Sequence, residues 1–131
     1  MKAPGNLAVD TNAVIAYREG IPEVCRFIDD AGVIFLPVTV LGELLYGALN
    51  STKMRKNESA VQQFSEHTIL LPITRDVAAR YAQVRLDLKK KGTPIPENDI
   101  WIAALCIEHE IPLLSRDEHF RVVDNLDVSG W

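Results

Sequence analysis

Asp10, Glu43, Asp99 and Asp117 are the side chains of this sequence with chemistry to offer. Asp10 ends an apolar run within Asp10-Thr11-Asn12, and Asp117 follows another within Ser115-Arg116-Asp117. Asp99 opens an apolar helix, and Glu43 stands among Leu41, Leu44, Leu45 and Tyr46, where a carboxylate is costly unless something pairs with it. Taken singly, Asp10, Asp99 and Asp117 also read as helix or turn caps, and Glu43 as a solvated helix edge. Taken together, carboxylates gathered at one place repel and raise one another's pKa unless a cation sits among them. Oxygen ligands of this kind suit Mg²⁺ or Mn²⁺ rather than zinc. One or two such ions orient a water, help to deprotonate it and offset charge on a phosphodiester in line for displacement. Thr11, Asn12, Asn98 and Ser115 are neutral polar neighbours, candidates to hold the acids or the waters around an ion. As ordinary turn and cap residues they would look the same.

The elements that must position these acids are legible from apolar patterning. Short runs rich in β-branched residues at 7–9, 33–36, 69–71 and 112–114 predict buried strands, with a weaker one at 126–128. Helical spacing predicts helices over 13–18, 22–30, 40–49, 59–66, 76–91 and 99–110, with Pro22 at a first helical position. The 76–91 segment carries Val77, Tyr81, Val84 and Leu88 on one stripe, and its Asp76/Arg80 and Asp87/Lys91 spacings predict ion pairs along the helix. It should stop at Gly92. Strands alternating with helices imply an α/β domain with a central parallel sheet of about four to five strands, flanked by helices. Such sheets collect ligands outside the carboxyl ends of their strands, which is where Asp10 and Asp117 fall.

A chain of 131 residues is the size of one domain, and no linker, repeat or low-complexity tract divides 1–131. Residues 1–6 carry no signal-peptide pattern, and the longest apolar stretch, 100–107, is too short to span a bilayer. A cytoplasmic address without membrane contact is expected. Cys25 and Cys106 are too few to staple a domain and are expected as reduced, buried thiols. The net charge of −4 does not exclude a nucleic-acid partner. With four acids assigned to a cation, fourteen acidic residues remain against fourteen basic ones.

These residues fall into motifs. The sequence resembles the PIN-domain family, and within it the VapC toxins of type II toxin–antitoxin pairs. Leu7-Ala8-Val9-Asp10-Thr11-Asn12 is similar to that family's opening strand, and Glu43-Leu44-Leu45-Tyr46-Gly47 to its Glu-x-x-x-Gly helix. Pro96 through Ala104, with Asn98 and Asp99, is similar to the third acidic motif, and Leu113 through Phe120 to the last, with Ser115 where Thr is frequent. The order of the motifs and their spacing cover essentially the whole chain. The resemblance implies a three-layer PIN-like fold and Mg²⁺- or Mn²⁺-dependent cleavage of RNA, with Asp10, Glu43, Asp99 and Asp117 as metal-binding, catalytic residues. It also implies a homodimer and a small cognate antitoxin of the VapB kind. Whether Glu97 joins the site is left open.

Other readings fit less well. A dehalogenase-type phosphatase would carry a second Asp where Asn12 stands, and a Ser–His–Asp hydrolase would need a Gly-x-Ser-x-Gly elbow. A PIN nuclease of RNA processing or DNA metabolism is the nearest alternative, and a non-catalytic RNA- or protein-binding module the next. His67, His109 and His119 are expected at the surface or at helix ends. Lys53, Arg55, Lys56 and Arg116 are candidates for phosphate contacts, whereas Lys89–Lys91 complement a helix dipole. Tyr46 and Trp101 are expected in the core or at a partner interface, and Leu41, Leu44, Leu45, Trp101 and Ile102 as apolar walls of the acidic cleft.

Overall fold

Leu7, Ala8 and Val9 are buried together, and a strand apolar on both faces belongs in the middle of a parallel sheet. There β1 (Asn6–Val9) lies in the computed structural model, which describes residues 5–131. Residues 1–4, on which the expectation of a leaderless N-terminus partly rests, lie outside that range. After β1 come α1 (Thr11–Arg18), α2 (Pro22–Asp30), β2 (Val33–Pro37), α3 (Val38–Leu49) and α4 (Met54–Glu66). The chain continues through β3 (Ile69–Leu71), α5 (Arg75–Lys91), α6 (Glu97–Glu108), β4 (Leu113–Leu114), a 3₁₀ turn (Glu118–Val122) and β5 (Val128–Ser129).

The five strands form one parallel sheet in the order β3-β2-β1-β4-β5, flanked by helices as the alternation predicts. The chain leaves β1 toward β2 and β3, then returns to the other side of β1 for β4 and β5. The crevice where the order reverses therefore opens between the carboxyl ends of β1 and β4, the place a doubly wound sheet offers a ligand. Val9 pairs with Leu114 there, so the next residues along, Asp10 and Ser115, emerge side by side.

Local chemistry sets most boundaries. Asp10 caps α1 by accepting the Ala13 N–H, Pro22 starts α2, and the Thr74 hydroxyl accepts the Val77 N–H at the head of α5. Each side-chain cap is worth about 1 kcal/mol. Gly92 closes α5 at φ 70°, a left-handed conformation that glycine enters without penalty. The core fills with Val9, Val14, Val24, Leu36, Val40, Leu105, Leu113 and Phe120, none more than 1% exposed.

Several boundaries differ from the sequence reading. Helix α4 begins at Met54 rather than at 59, since its first residues, Met54, Arg55 and Lys56, are exposed and carry no apolar period. Helix α6 spans Glu97–Glu108 rather than 99–110: Pro96 starts it, and Glu110 turns left-handed at φ 54° beyond its end. The last strand lies at Val128–Ser129, two residues later than where 126–128 begins. The two ion pairs expected within α5 do not form. Arg80 reaches Glu108 on α6 at 3.2 Å, and Lys91 reaches Asp124 at 3.2 Å, because tertiary partners outcompete neighbours on an exposed face. Cys106 is buried, which holds its thiol protonated by pushing the pKa up to about 12, whereas Cys25 is only half-buried. Among the described residues, no helix is long and apolar enough to cross a membrane.

Candidate active site

Asp10 is 4% exposed, and both of its oxygens have donors. The Ala13 N–H reaches Oδ1 at 2.8 Å, and the Ser115 hydroxyl donates to Oδ2 at 2.5 Å. Burial is the main cause of a raised Asp10 pKa; those two bonds pull it back, and the charges of Asp117 and Asp99 push it up again. The Ser115 Oγ also accepts the Asp117 N–H at 3.0 Å, which folds the chain after β4 back toward β1. Asp117 in turn caps the 3₁₀ turn, its Oδ1 accepting the His119 N–H at 2.9 Å.

Asp99 comes to the same crevice from the first turn of α6, where a carboxylate is favoured by the helix dipole. It does not cap the helix, as one reading of the sequence had it; its Oδ2 instead lies 3.2 Å from His119 Nδ1. Its pKa is raised, chiefly by burial, with His119 opposing and Asp117 and Glu43 adding to the rise. Asp10, Asp99 and Asp117 thus sense one another's charge, as the clustering of acids predicts.

Glu43 takes the solvated helix edge that its sequence allows. It is exposed, because Leu44 turns to the core while Glu43 occupies the other side of α3. Thr11 Oγ1 donates to its Oε2 at 2.9 Å, and the Asn98 amide donates to its Oε1, so residues beside two other acids hold it at the rim. Three of the four neutral candidates therefore bond to the acids: Thr11 and Asn98 to Glu43, and Ser115 to both Asp10 and Asp117. Asn12 is exposed and holds none of the four acids. Glu97 is committed to α5, accepting from the Tyr81 hydroxyl at 2.6 Å and lying 3.6 Å from Arg85.

His119 is exposed, as expected, and also reaches the acids. Its Nδ1 lies between Asp99 and Asp117, 3.1 Å from the latter's Oδ1. The Asp117-Glu118-His119 spacing carried a signal, since a capped turn brings the second residue back to the capping carboxylate. Arg116, a candidate phosphate contact, is exposed with its guanidinium 5.7 Å from the centre of the Trp131 ring.

The donor set fits a divalent cation. Asp99, Asp117 and His119 each offer a ligand atom, all within 4.8 Å of one another, with Asp10 alongside. Among the described residues no lysine or arginine pairs with any of the four acids, leaving one imidazole against four carboxylates.

A groove of about 460 Å³ adjoins the cluster, sharing Thr11 and Glu43 with it and running past Ile15, Arg18, Gly47 and Asn57 between α1, α3 and α4. Of the apolar walls expected from sequence only Leu44 lines it. Ile102 is 2% exposed in the core, and Trp101 stacks on Tyr81 at 3.8 Å between ring centres. Tyr46, expected in a core or interface, is 70% exposed on α3.

Known proteins share this fold. Residues 7–126 match the model of the PIN domain. Ribonuclease VapC2 of Haemophilus influenzae is 30% identical over 126 residues, covering 94% of this chain and 96% of its own. The solved structure of DNA-bound VapBC from Salmonella typhimurium superposes with a TM-score of 0.88 at 25% identity, covering 96% of this chain and 98% of that one. VapBC-5 of Mycobacterium tuberculosis, described as a member of a family of toxin–antitoxin systems, gives a TM-score of 0.75 at 26% identity, covering 97% and 98% of the two chains.

Proposed function

The chain belongs to the PIN-domain family, and from that membership we propose that it is a divalent-metal-dependent endoribonuclease, the toxin of a toxin–antitoxin pair. The observation that carries the reading is the meeting of Asp10, Asp99 and Asp117 in the β1–β4 crevice without a lysine or arginine to neutralise them, among the described residues. Relatives named as ribonucleases support RNA as the substrate, and solved VapBC complexes support a small protein partner of the VapB kind.

Asp10, Asp99, Asp117 and Glu43 would hold the Mg²⁺ or Mn²⁺, Glu43 from the rim. When bound, such an ion activates water and offsets charge on the phosphodiester. The chain's own part is to keep the acids aimed: Ser115 fixes Asp10, and Thr11 with Asn98 fixes Glu43. The described residues act as one domain, since a single cluster of buried residues extends from Leu7 to Val123. The chain works as a homodimer in the cytoplasm, where its RNA substrate is found. The antitoxin occupies the groove beside Glu43, whose mixture of apolar and polar walls suits a short segment that folds as it binds.

Purified protein should cut a structured RNA in Mg²⁺ or Mn²⁺ and stop in excess chelator. Asp10→Asn, Glu43→Gln, Asp99→Asn and Asp117→Asn should each lower the rate by at least about 100-fold while the domain stays folded. Undiminished cleavage in chelator would overturn the metal-dependent reading. Expression of the chain alone should arrest growth, and co-expression with the neighbouring short gene should restore it and yield a complex. If the chain is harmless and nothing co-purifies, the toxin reading falls while the nuclease reading stands.

A further inference from the structure

Resting on the reading of the acid cluster as a cation site, we propose that His119 supplies a nitrogen ligand to that cation through Nδ1, beside Asp99 and Asp117. The site then takes Mn²⁺ in preference to Mg²⁺. The geometry points to it. Two ligand atoms about 2.1 Å from an octahedral ion and at right angles to one another lie about 3 Å apart. Nδ1 is 3.2 Å from Asp99 Oδ2 and 3.1 Å from Asp117 Oδ1, so the nitrogen already stands at the spacing of a neighbouring ligand from each oxygen, and all three groups offer ligand atoms within 4.8 Å of one another.

The imidazole is there by construction. The His119 N–H is fixed on Asp117 Oδ1, and the next residue, Phe120, is anchored in the core at 1% exposure. The ring therefore swings from a turn secured on both sides. The other histidines are differently engaged: His67 Nδ1 bonds the Gln63 carbonyl at the end of α4, and His109 ends α6. As a ligand the ring would offer the Nδ1 lone pair and carry its proton on Nε2.

A nitrogen donor changes which ion is favoured. Mg²⁺ takes oxygen ligands and keeps much of its water, whereas imidazole is a good ligand for later divalent ions. An all-carboxylate cluster would leave the two ions close in affinity. One imidazole tips the balance toward Mn²⁺.

Pulsed electron paramagnetic resonance of the full chain loaded with one equivalent of Mn²⁺ reads the ligand directly. A ¹⁴N modulation is expected, converting to ¹⁵N when the protein is made with ¹⁵N-histidine and vanishing in His119→Gln but not in His67→Gln. Calorimetric titration should show Mn²⁺ affinity falling about 10- to 100-fold in His119→Gln, with Mg²⁺ affinity changing far less. Saturable Mn²⁺ binding with no nitrogen coupling in the wild type would overturn the proposal and leave the carboxylate site intact. No saturable Mn²⁺ binding at all would remove the cation site, and this inference with it. The wild-type spectrum decides the matter even if the variant proves unstable.

Discussion

The Ser115 hydroxyl donates to Asp10 Oδ2 at 2.5 Å and accepts the Asp117 N–H at 3.0 Å, so one side chain joins two of the four acids. The β1–β4 register makes this possible by setting residue 115 beside residue 10. Ser115→Ala strips a nearly buried carboxylate oxygen of its donor and the Asp117 amide of its acceptor. An unsatisfied buried group costs about 1–3 kcal/mol, which should lower the melting temperature by several degrees. Metal affinity should weaken by roughly 10-fold, while Ser115→Thr, which keeps the hydroxyl, should behave as wild type. Melting and metal titration of both variants check this. An alanine variant indistinguishable from wild type would show that the bond has no structural worth.

Burial raises the pKa of Asp10 and of Asp99 above the ordinary carboxylate value of 3.8, and this gives metal-free stability a distinctive pH dependence. A group whose folded pKa lies above its unfolded one binds its proton more tightly in the folded chain. The stability it contributes is fully present below the unfolded pKa and is lost as pH rises through the folded one. Asp10→Asn and Asp99→Asn remove that loss. Melting in chelator from about pH 4 to about pH 7 should therefore show each variant gaining on wild type as the pH rises. A saturating divalent ion should reverse the order at neutral pH, because the wild type then gains stability by mass action. A constant gap across the range would mean that neither carboxyl is perturbed.

What the sequence disclosed follows a physical divide. The strand at 69–71 and the helix at 22–30 match the structure residue for residue, since an apolar run in one case and Pro22 in the other are local signals. Asp10 and Asp117 were placed correctly because the ends of predicted parallel strands are informative by themselves. Glu43 is solvated despite its apolar sequence neighbours, because a helix sends adjacent side chains to different faces. His119 was set at the surface, and it is half exposed, yet its partner Asp99 lies twenty residues away. No spacing rule carries that contact. The ties from Thr11 and Asn98 to Glu43 are long-range in the same sense, as are the α5 ion pairs that chose partners on other elements.

Phe120 couples the core to the site. It is 1% exposed and sits one residue after His119 in the turn capped by Asp117. Phe120→Ala should cost about 3–5 kcal/mol from lost burial and the cavity left behind. It should also loosen the turn that aims Asp117 and His119, so metal affinity falls together with stability. Phe120→Leu, which retains most of the volume, should recover most of both. Denaturant melts with parallel metal titrations on the three proteins test the coupling. If the alanine variant unfolds more easily yet binds metal as tightly as wild type, the turn is held by something other than Phe120.

The groove beside Glu43 gives a way to separate catalysis from control. Gly47 lines it, and a Cβ built there meets nothing within 4 Å. Its φ lies outside the left-handed range and it sits within α3, so a side chain adds no backbone strain. Tryptophan is also a better helix former than glycine. Gly47→Trp should therefore leave the fold and the four acids intact while filling the groove where a partner segment is proposed to lie. The expected outcome is a chain that still cleaves RNA and still arrests growth, but that co-expression with the neighbouring short gene no longer rescues. Pull-down should show the complex weakened by at least 10-fold, because blocking a central pocket removes the anchoring contacts that dominate such interfaces. Rescue and co-purification at wild-type levels would place the partner elsewhere on the surface. Loss of RNA cleavage with the melting temperature unchanged would instead mark the groove as part of the substrate path.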